Sequence, residues 1–297
     1  MASTAYLAPD KFQSILKKEL KSITATYENL ILTSTKPQRA FWAQNIWFNP
    51  EIIEFDSISD AVKKLKARQR NWILYSSDFH RRAKLIEENL PHVSCKPLTF
   101  PQEMPKSKLG SWTLISKNEL LAATDCSSLF PNGVVSFVEN KTEPPSRAYL
   151  KLFEALTLLE KFPKTGDSCL DVGASPGGWT WVLDTLGAKI LSVDRSELES
   201  SLMKKKNITF KKADAFSITP EDNKFDWIFS DVICYPEKLL SWCKEWIASE
   251  KVSNMICTIK FQGESSYEIA KEFASLPHSQ VLHLFNNKHE LTFFYSK

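Results

Sequence analysis

From Ser146 onward the chain alternates short apolar strands with stretches that are apolar at helical spacing, and this alternation limits the fold more than any other feature. Arg147–Lys161 and Gly177–Leu186 read as helices. Ser168–Val172, Lys189–Val193, Phe225–Ser230 and Asn254–Ile259 read as strands. Strands separated by helices predict a parallel, doubly wound α/β sheet. The last two apolar runs, Val281–Phe285 and Leu291–Tyr295, are separated only by polar Asn286–His289. A parallel return needs about a dozen residues, so this pair predicts a terminal antiparallel hairpin.

The upstream part has another texture. Apolar runs at 30–32, 40–48, 72–75 and 111–115 lie among helix-like stretches at 11–20 and 59–67, the mixture of a smaller α+β domain. A proline-bearing connector, KPLTFPQEMPKSK, interrupts it, and ENKTEPPSR closes it with two adjacent prolines that suit no helix or strand interior. With 297 residues there is room for two domains of typical size. The division expected is 1–140 for an accessory domain and 141–297 for the α/β domain.

Several classes are disfavoured. No apolar run reaches the ~18 residues of a membrane span, and the first twenty residues lack the basic and apolar regions of a signal peptide. We expect no membrane association. The six cysteines form no CxxC pair and read as buried free thiols of a reducing cytoplasm. The five histidines show no ligand spacing, so no metal is expected. A net charge of +3 is too mild to establish a nucleic-acid partner. Lys204-Lys205-Lys206, Lys211-Lys212 and Arg81-Arg82 are basic clusters that suit either phosphates or a solvated face.

The sharpest local signal is LDVGASPGGWT, Leu170–Thr180: a strand, a glycine-rich turn and a helix start. In open α/β folds such turns lie where ligands bind. Ser175 occupies the second glycine of GxGxxG, and no lysine follows Gly178, so both phosphate-cradling motifs fit poorly. A nucleoside-type ligand without a pyrophosphate fits better. Asp194 ends the next strand and suits either a ribose hydroxyl or a helix cap. Asp214 suits an adenine amino group or is a plain loop aspartate. Trp179 and Trp181 read first as packing residues of the following helix.

With its downstream acids, DVGASPGGWT resembles the FtsJ-like class of S-adenosylmethionine-dependent RNA 2′-O-ribose methyltransferases. That class uses a Lys-Asp-Lys-Glu tetrad, and the matching positions occur in order: Lys151 in SRAYLKL, Asp231 in FDWIFSDV, Lys260 in ICTIKFQGE and Glu290 in NNKHELTFFYS. The resemblance covers about residues 144–297. PPSRAYLKLFEA, GGWT and HELTFF are similar to the RlmM-type subgroup, which methylates cytidine riboses of bacterial large-subunit ribosomal RNA. It implies a Rossmann-like sheet and S-adenosyl-L-methionine as cofactor. That cofactor would be held by Asp171, Gly173, Ala174, Ser175, Pro176, Gly177, Gly178, Trp179, Asp194, Asp214 and Asp231. It implies an RNA substrate, ribosomal RNA first, and an N-terminal RNA-binding module of the THUMP kind.

The chemistry asks for a base near a ribose hydroxyl, and the resemblance gives that role to Lys260. Lys151 nearby would disfavour charge on Lys260, while Asp231 and Glu290 orient both amines. A base methyltransferase would usually carry an Asn/Asp-Pro-Pro-aromatic turn where this chain has SDVIC. A non-catalytic RNA-binding or ribosome-assembly protein, or an enzyme for another RNA, are the remaining alternatives.

Overall fold

The computed structural model describes residues 3–263 and 266–297. Glu264, the end of the ICTIKFQGE stretch, lies outside them. The chain divides into two compact units: residues 1–98 with 104–136, and residues 137–297 with 99–103.

The first unit runs β1 (Thr4–Leu7), α1 (Gln13–Glu19), β2 (Ile23–Tyr27), β3 (Leu30–Thr33), β4 (Asn45–Phe48), β5 (Glu51–Glu54), α2 (Ile58–Arg68), β6 (Trp72–Leu74), α3 (His80–Glu88), β7 (Gly110–Ser116), β8 (Glu119–Ala123) and β9 (Asp125–Cys126). Two sheets form, in the orders β2-β3-β1-β4-β9 and β5-β8-β7-β6. The period of two along β8 explains the layering. Leu120 and Ala122 pack with Ala61 and Leu65 of α2 and Ile86 of α3. Leu121 and Ala123 pack with Ala5, Leu30 and Trp47 of the other sheet. Helix α2 starts where the Ser57 hydroxyl accepts the Asp60 N–H at 3.1 Å, a cap that satisfies a first-turn donor. The α+β expectation matches this build.

The second unit runs α4 (Tyr149–Leu159), β10 (Ser168–Val172), α5 (Gly178–Thr185), β11 (Lys189–Asp194), α6 (Ser200–Met203), β12 (Ile208–Lys212), β13 (Phe225–Ser230), α7 (Pro236–Ser249), β14 (Val252–Lys260), α8 (Tyr267–Ala274), β15 (Ser279–Leu282) and β16 (Glu290–Ser296). Its seven-stranded sheet has the order β12-β11-β10-β13-β14-β16-β15. The first five strands are parallel. Strand order reverses between β10 and β13, and ligands of open α/β sheets bind at such a switch, beyond the carboxyl ends of the strands. The Rossmann-like expectation holds. The central strands are buried almost continuously, as parallel strands covered on both faces are. Phe100, in the 99–103 segment, stacks on Phe153 of α4 at 3.8 Å and meets Phe162 edge-on at 5.7 Å.

The terminal pair departs in detail from its sequence reading. β15 and β16 are antiparallel, but β16 also pairs with β14 and lies between the two. β15 ends at Leu282 rather than Phe285, because the Phe285 N–H donates to the Glu154 carboxylate instead of to a strand. The cysteines also differ from expectation. All six are free thiols, and Cys169, Cys243 and Cys257 are buried, but Cys95 is exposed. Among the described residues, no helix is long and apolar enough to cross a membrane, and no three His, Cys, Asp or Glu gather as a metal site.

Candidate active site

Four charged side chains meet at element ends on the carboxyl edge of the second unit's sheet. Lys151 stands in the first turn of α4, Asp231 follows the last residue of β13, Lys260 closes β14 and Glu290 opens β16. The antiparallel register sets Lys260 directly opposite Glu290, so one strand's end meets the other's start. Lys151 Nζ lies 2.6 Å from Glu290 Oε1 and 3.1 Å from Asp231 Oδ1. Lys260 Nζ lies 3.0 Å from the same Asp231 Oδ1 and donates to the Asp231 main-chain oxygen at 2.6 Å. The result is a row of alternating charge: Glu290, Lys151, Asp231, Lys260.

The row has a closed end and an open end. The side chains of Lys151 and Glu290 are 9% and 10% exposed, those of Asp231 and Lys260 19% and 20%. Burial alone would push the Lys151 ammonium down, but the Asp231 and Glu290 carboxylates outweigh it and hold its pKa above the ordinary value. Burial would raise Asp231, but the Lys151 and Lys260 ammoniums outweigh it and hold its pKa below the usual carboxylate range. The sequence reading set the lysines acting directly on each other. Instead Asp231 Oδ1 stands between both amines.

A cavity of about 500 Å³ adjoins Asp231 and Lys260. Of the residues expected to hold a cofactor, Gly173, Ser175, Pro176, Asp194, Asp214 and Asp231 form its wall. Gly173 has φ +74°, and a Cβ there would sit 2.8 Å from Val232 Cγ2, so the turn passes β13's exit only without a side chain. Asp194 does two things the sequence left as alternatives. It faces the cavity, and its carboxylate accepts the Ser175 N–H at 3.1 Å and the Ser196 N–H at 2.9 Å. Asp214 accepts from the Arg195 guanidinium, which holds its pKa below the ordinary value, and from the Phe216 N–H at 3.0 Å.

The other expected residues stand behind the wall. Asp171 is buried and accepts the Thr180 hydroxyl at 2.6 Å, which also meets Ser192 Oγ at 2.9 Å. Burial pushes the Asp171 carboxyl up to about 7. Trp179 donates its indole N–H to the Ala148 oxygen at 3.0 Å, tying α5 to the approach of α4. Gly178 packs where a Cβ would meet Ser146 Oγ at 2.5 Å. Ala174 and Gly177 shape the same turn without reaching the cavity. Asp171 was legible as a motif member, but its inward direction was not.

Sequence reasoning missed other wall residues: Arg195, Phe216, Lys238 and the Val232-Ile233-Cys234 loop. Lys238 Nζ lies 4.3 Å from the Phe216 ring centre, and Phe216 meets Trp242 edge-on at 5.6 Å. The available signal was an aromatic two residues past a strand-end acid. Ile233 and Tyr235, 77% and 66% exposed, follow Asp231. Arg82 is less free than its cluster implied, since its guanidinium lies 5.3 Å from the Phe55 ring. A second cavity, about 620 Å³, lies within the first unit and includes Arg70, His92, Lys96 and Phe130 in its wall.

The cavity wall suits a nucleoside-type ligand. The carboxylates of Asp194, which ends β11, and Asp214, two residues beyond β12, can accept from hydroxyl and amino groups, and Phe216 lines the same cavity. A switch-point cavity, a glycine turn and a four-charge row together define a methyltransferase-type α/β domain. Residues 144–289 match the FtsJ-like methyltransferase family. S-adenosyl-L-methionine is the cofactor that this match indicates. Curated relatives include Ribosomal RNA large subunit methyltransferase M of Thauera aminoaromatica, 30% identical over 56% of this chain and 50% of its own length. The proteins of the same name from Hahella chejuensis and Pseudoalteromonas atlantica are 32% and 28% identical, over 47% and 56% of this chain and 37% and 51% of their own lengths. The chain thus spans about half the length, or less, of the relatives it matches.

Proposed function

We propose that this chain transfers a methyl group to a ribose 2′-hydroxyl of large-subunit ribosomal RNA in the cytoplasm. The observation that carries the reading is the row Glu290–Lys151–Asp231–Lys260, open at Lys260 onto the cavity. When bound, S-adenosyl-L-methionine supplies an activated methyl group. The protein's own task is to orient the hydroxyl and take its proton. Lys260 spends two N–H directions on Asp231, which leaves one for a ligand in the cavity it lines. In that place it is the group that takes the hydroxyl proton. Asp231 fixes both amines, while Lys151 and Glu290 hold the carboxylate from the closed side. Asp194 and Asp214 bind the cofactor's hydroxyl and amino groups, and the residue pair Ile233 and Tyr235 meets the RNA. Residues 1–140 serve as an accessory RNA-binding module, THUMP-like in kind, beside the catalytic domain of 141–297.

The test is ribose-methylation mapping of total RNA from cells with and without the gene. The expected result is loss of one 2′-O-methyl mark in large-subunit ribosomal RNA, restored by the wild type and not by Lys260→Ala. Loss of a base methyl mark with every ribose mark intact would overturn the ribose reading. An unchanged methylation map, with cofactor binding intact, would favour a non-catalytic assembly role.

A further inference from the structure

We infer that Glu154 is a positioning residue whose carboxylate clamps the turn that delivers Glu290 to Lys151. The inference rests on the reading of the four-residue site given above. Glu154 lies three residues after Lys151 on α4, so one helix face presents both. It is buried, with 1% of its surface exposed. Its Oε1 accepts the Phe285 N–H at 2.6 Å, and its Oε2 accepts the Asn286 N–H at 2.9 Å and the Asn286 side-chain amide at 2.8 Å. None of these three donors is a cation. A carboxylate taken out of water needs such partners, and they in turn need it, because an apolar replacement leaves the buried N–H groups unmade.

The clamp continues to the site. Beyond the turn, Asn287 Nδ2 donates to the Glu290 main-chain oxygen at 3.3 Å and to Thr292 Oγ1 at 3.0 Å. The Lys288 N–H donates to Glu290 Oε1 at 3.4 Å, and that same oxygen meets Lys151 Nζ at 2.6 Å. The circuit closes on itself: α4 holds the turn, the turn holds Glu290, and Glu290 holds the lysine of α4. Glu154 does not line the cavity, and its hydrogen bonds go to the turn that leads to Glu290.

The experiment is a double-mutant cycle in the full chain, with S-adenosyl-L-methionine and large-subunit ribosomal RNA from cells lacking the gene, read as kcat, RNA KM and cofactor Kd. Glu154→Gln keeps the shape but turns one accepting oxygen into a donor. We expect its kcat to fall tenfold or more, with the RNA KM and cofactor Kd within about twofold of wild type. On a Glu290→Gln background with measurable residual turnover, the same change should lower kcat by less than about twofold. A full multiplicative loss on that background, or unchanged kcat with only a lower Tm, would overturn the inference. If Glu154→Gln loses cofactor binding through misfolding, Asn286→Ala replaces it in the cycle with the same expected pattern, and additivity there would overturn the inference too. Wild-type turnover in Glu290→Gln alone would instead overturn the site reading beneath it.

Discussion

Lys151 is the residue on which the charge row depends, because two buried carboxylates lean on one ammonium. Lys151→Met strands Glu290 and leaves Asp231 with Lys260 alone, and breaking a buried pair this way costs about 3–5 kcal/mol. We expect a large fall in Tm together with lost methyl transfer, and a variant that unfolds like wild type would refute the dependence. Lys260 at the open end differs. Lys260→Ala should abolish turnover and leave cofactor Kd within about twofold by calorimetry, because Asp231 keeps Lys151. Asp194→Ala removes both a cavity acid and the anchor of Ser175 N–H, so cofactor Kd should rise about tenfold or more, the scale of one charge-assisted hydrogen bond. Unchanged affinity would remove Asp194 from the binding site. The identities of the four charged residues were legible in the sequence because each sits in a short motif at an element end. Their pairing was not, since it depends on Asp231 Oδ1 lying between amines that enter from α4 and β14.

Among the elements, β10 and α5 are joined by the Asp171–Thr180–Ser192 network in the sheet's interior. Burial sets the Asp171 pKa at about 7, against an ordinary 3.8. A carboxyl whose folded pKa is raised contributes stability fully below its unfolded value, and that contribution is lost as pH rises through the folded one. From this group the stability of the second unit should therefore decline between about pH 4 and pH 7. Asp171→Asn should flatten that decline, gaining on wild type by about 1–3 kcal/mol from pH 5 to pH 8 in urea unfolding. A constant difference across that range would show that Asp171 does not titrate there. Four of the five parallel strands were readable because each apolar run is bracketed by turn residues and separated by helical spacing, whereas β12, a largely polar edge strand, was not. The place of β16 was not, because an antiparallel strand reads the same whether it ends a sheet or enters between β14 and β15. The true end of β15 was hidden as well, since it is set by Glu154 from far back in the chain.

For the molecule as a whole, the short segment 99–103 belongs to the second unit although its flanks belong to the first. Phe100→Ala should therefore destabilise the second unit, by about 1–3 kcal/mol for a partly buried aromatic, lower its Tm and leave the first unit's transition in place. Loss confined to the first unit would contradict that assignment. The two-part division was visible as a change of texture, whereas this exchange was not, because a proline-rich connector gives no sign of which core takes its aromatic residue. The place of β16 also sets a timetable. During synthesis Lys151, Asp231 and Lys260 all leave the ribosome before Glu290, and β16 must pair with β14 before β15 can join the sheet. A nascent chain thus holds no complete charge row until β16 is seated, so the site is assembled late, after the elements that carry its other three charges.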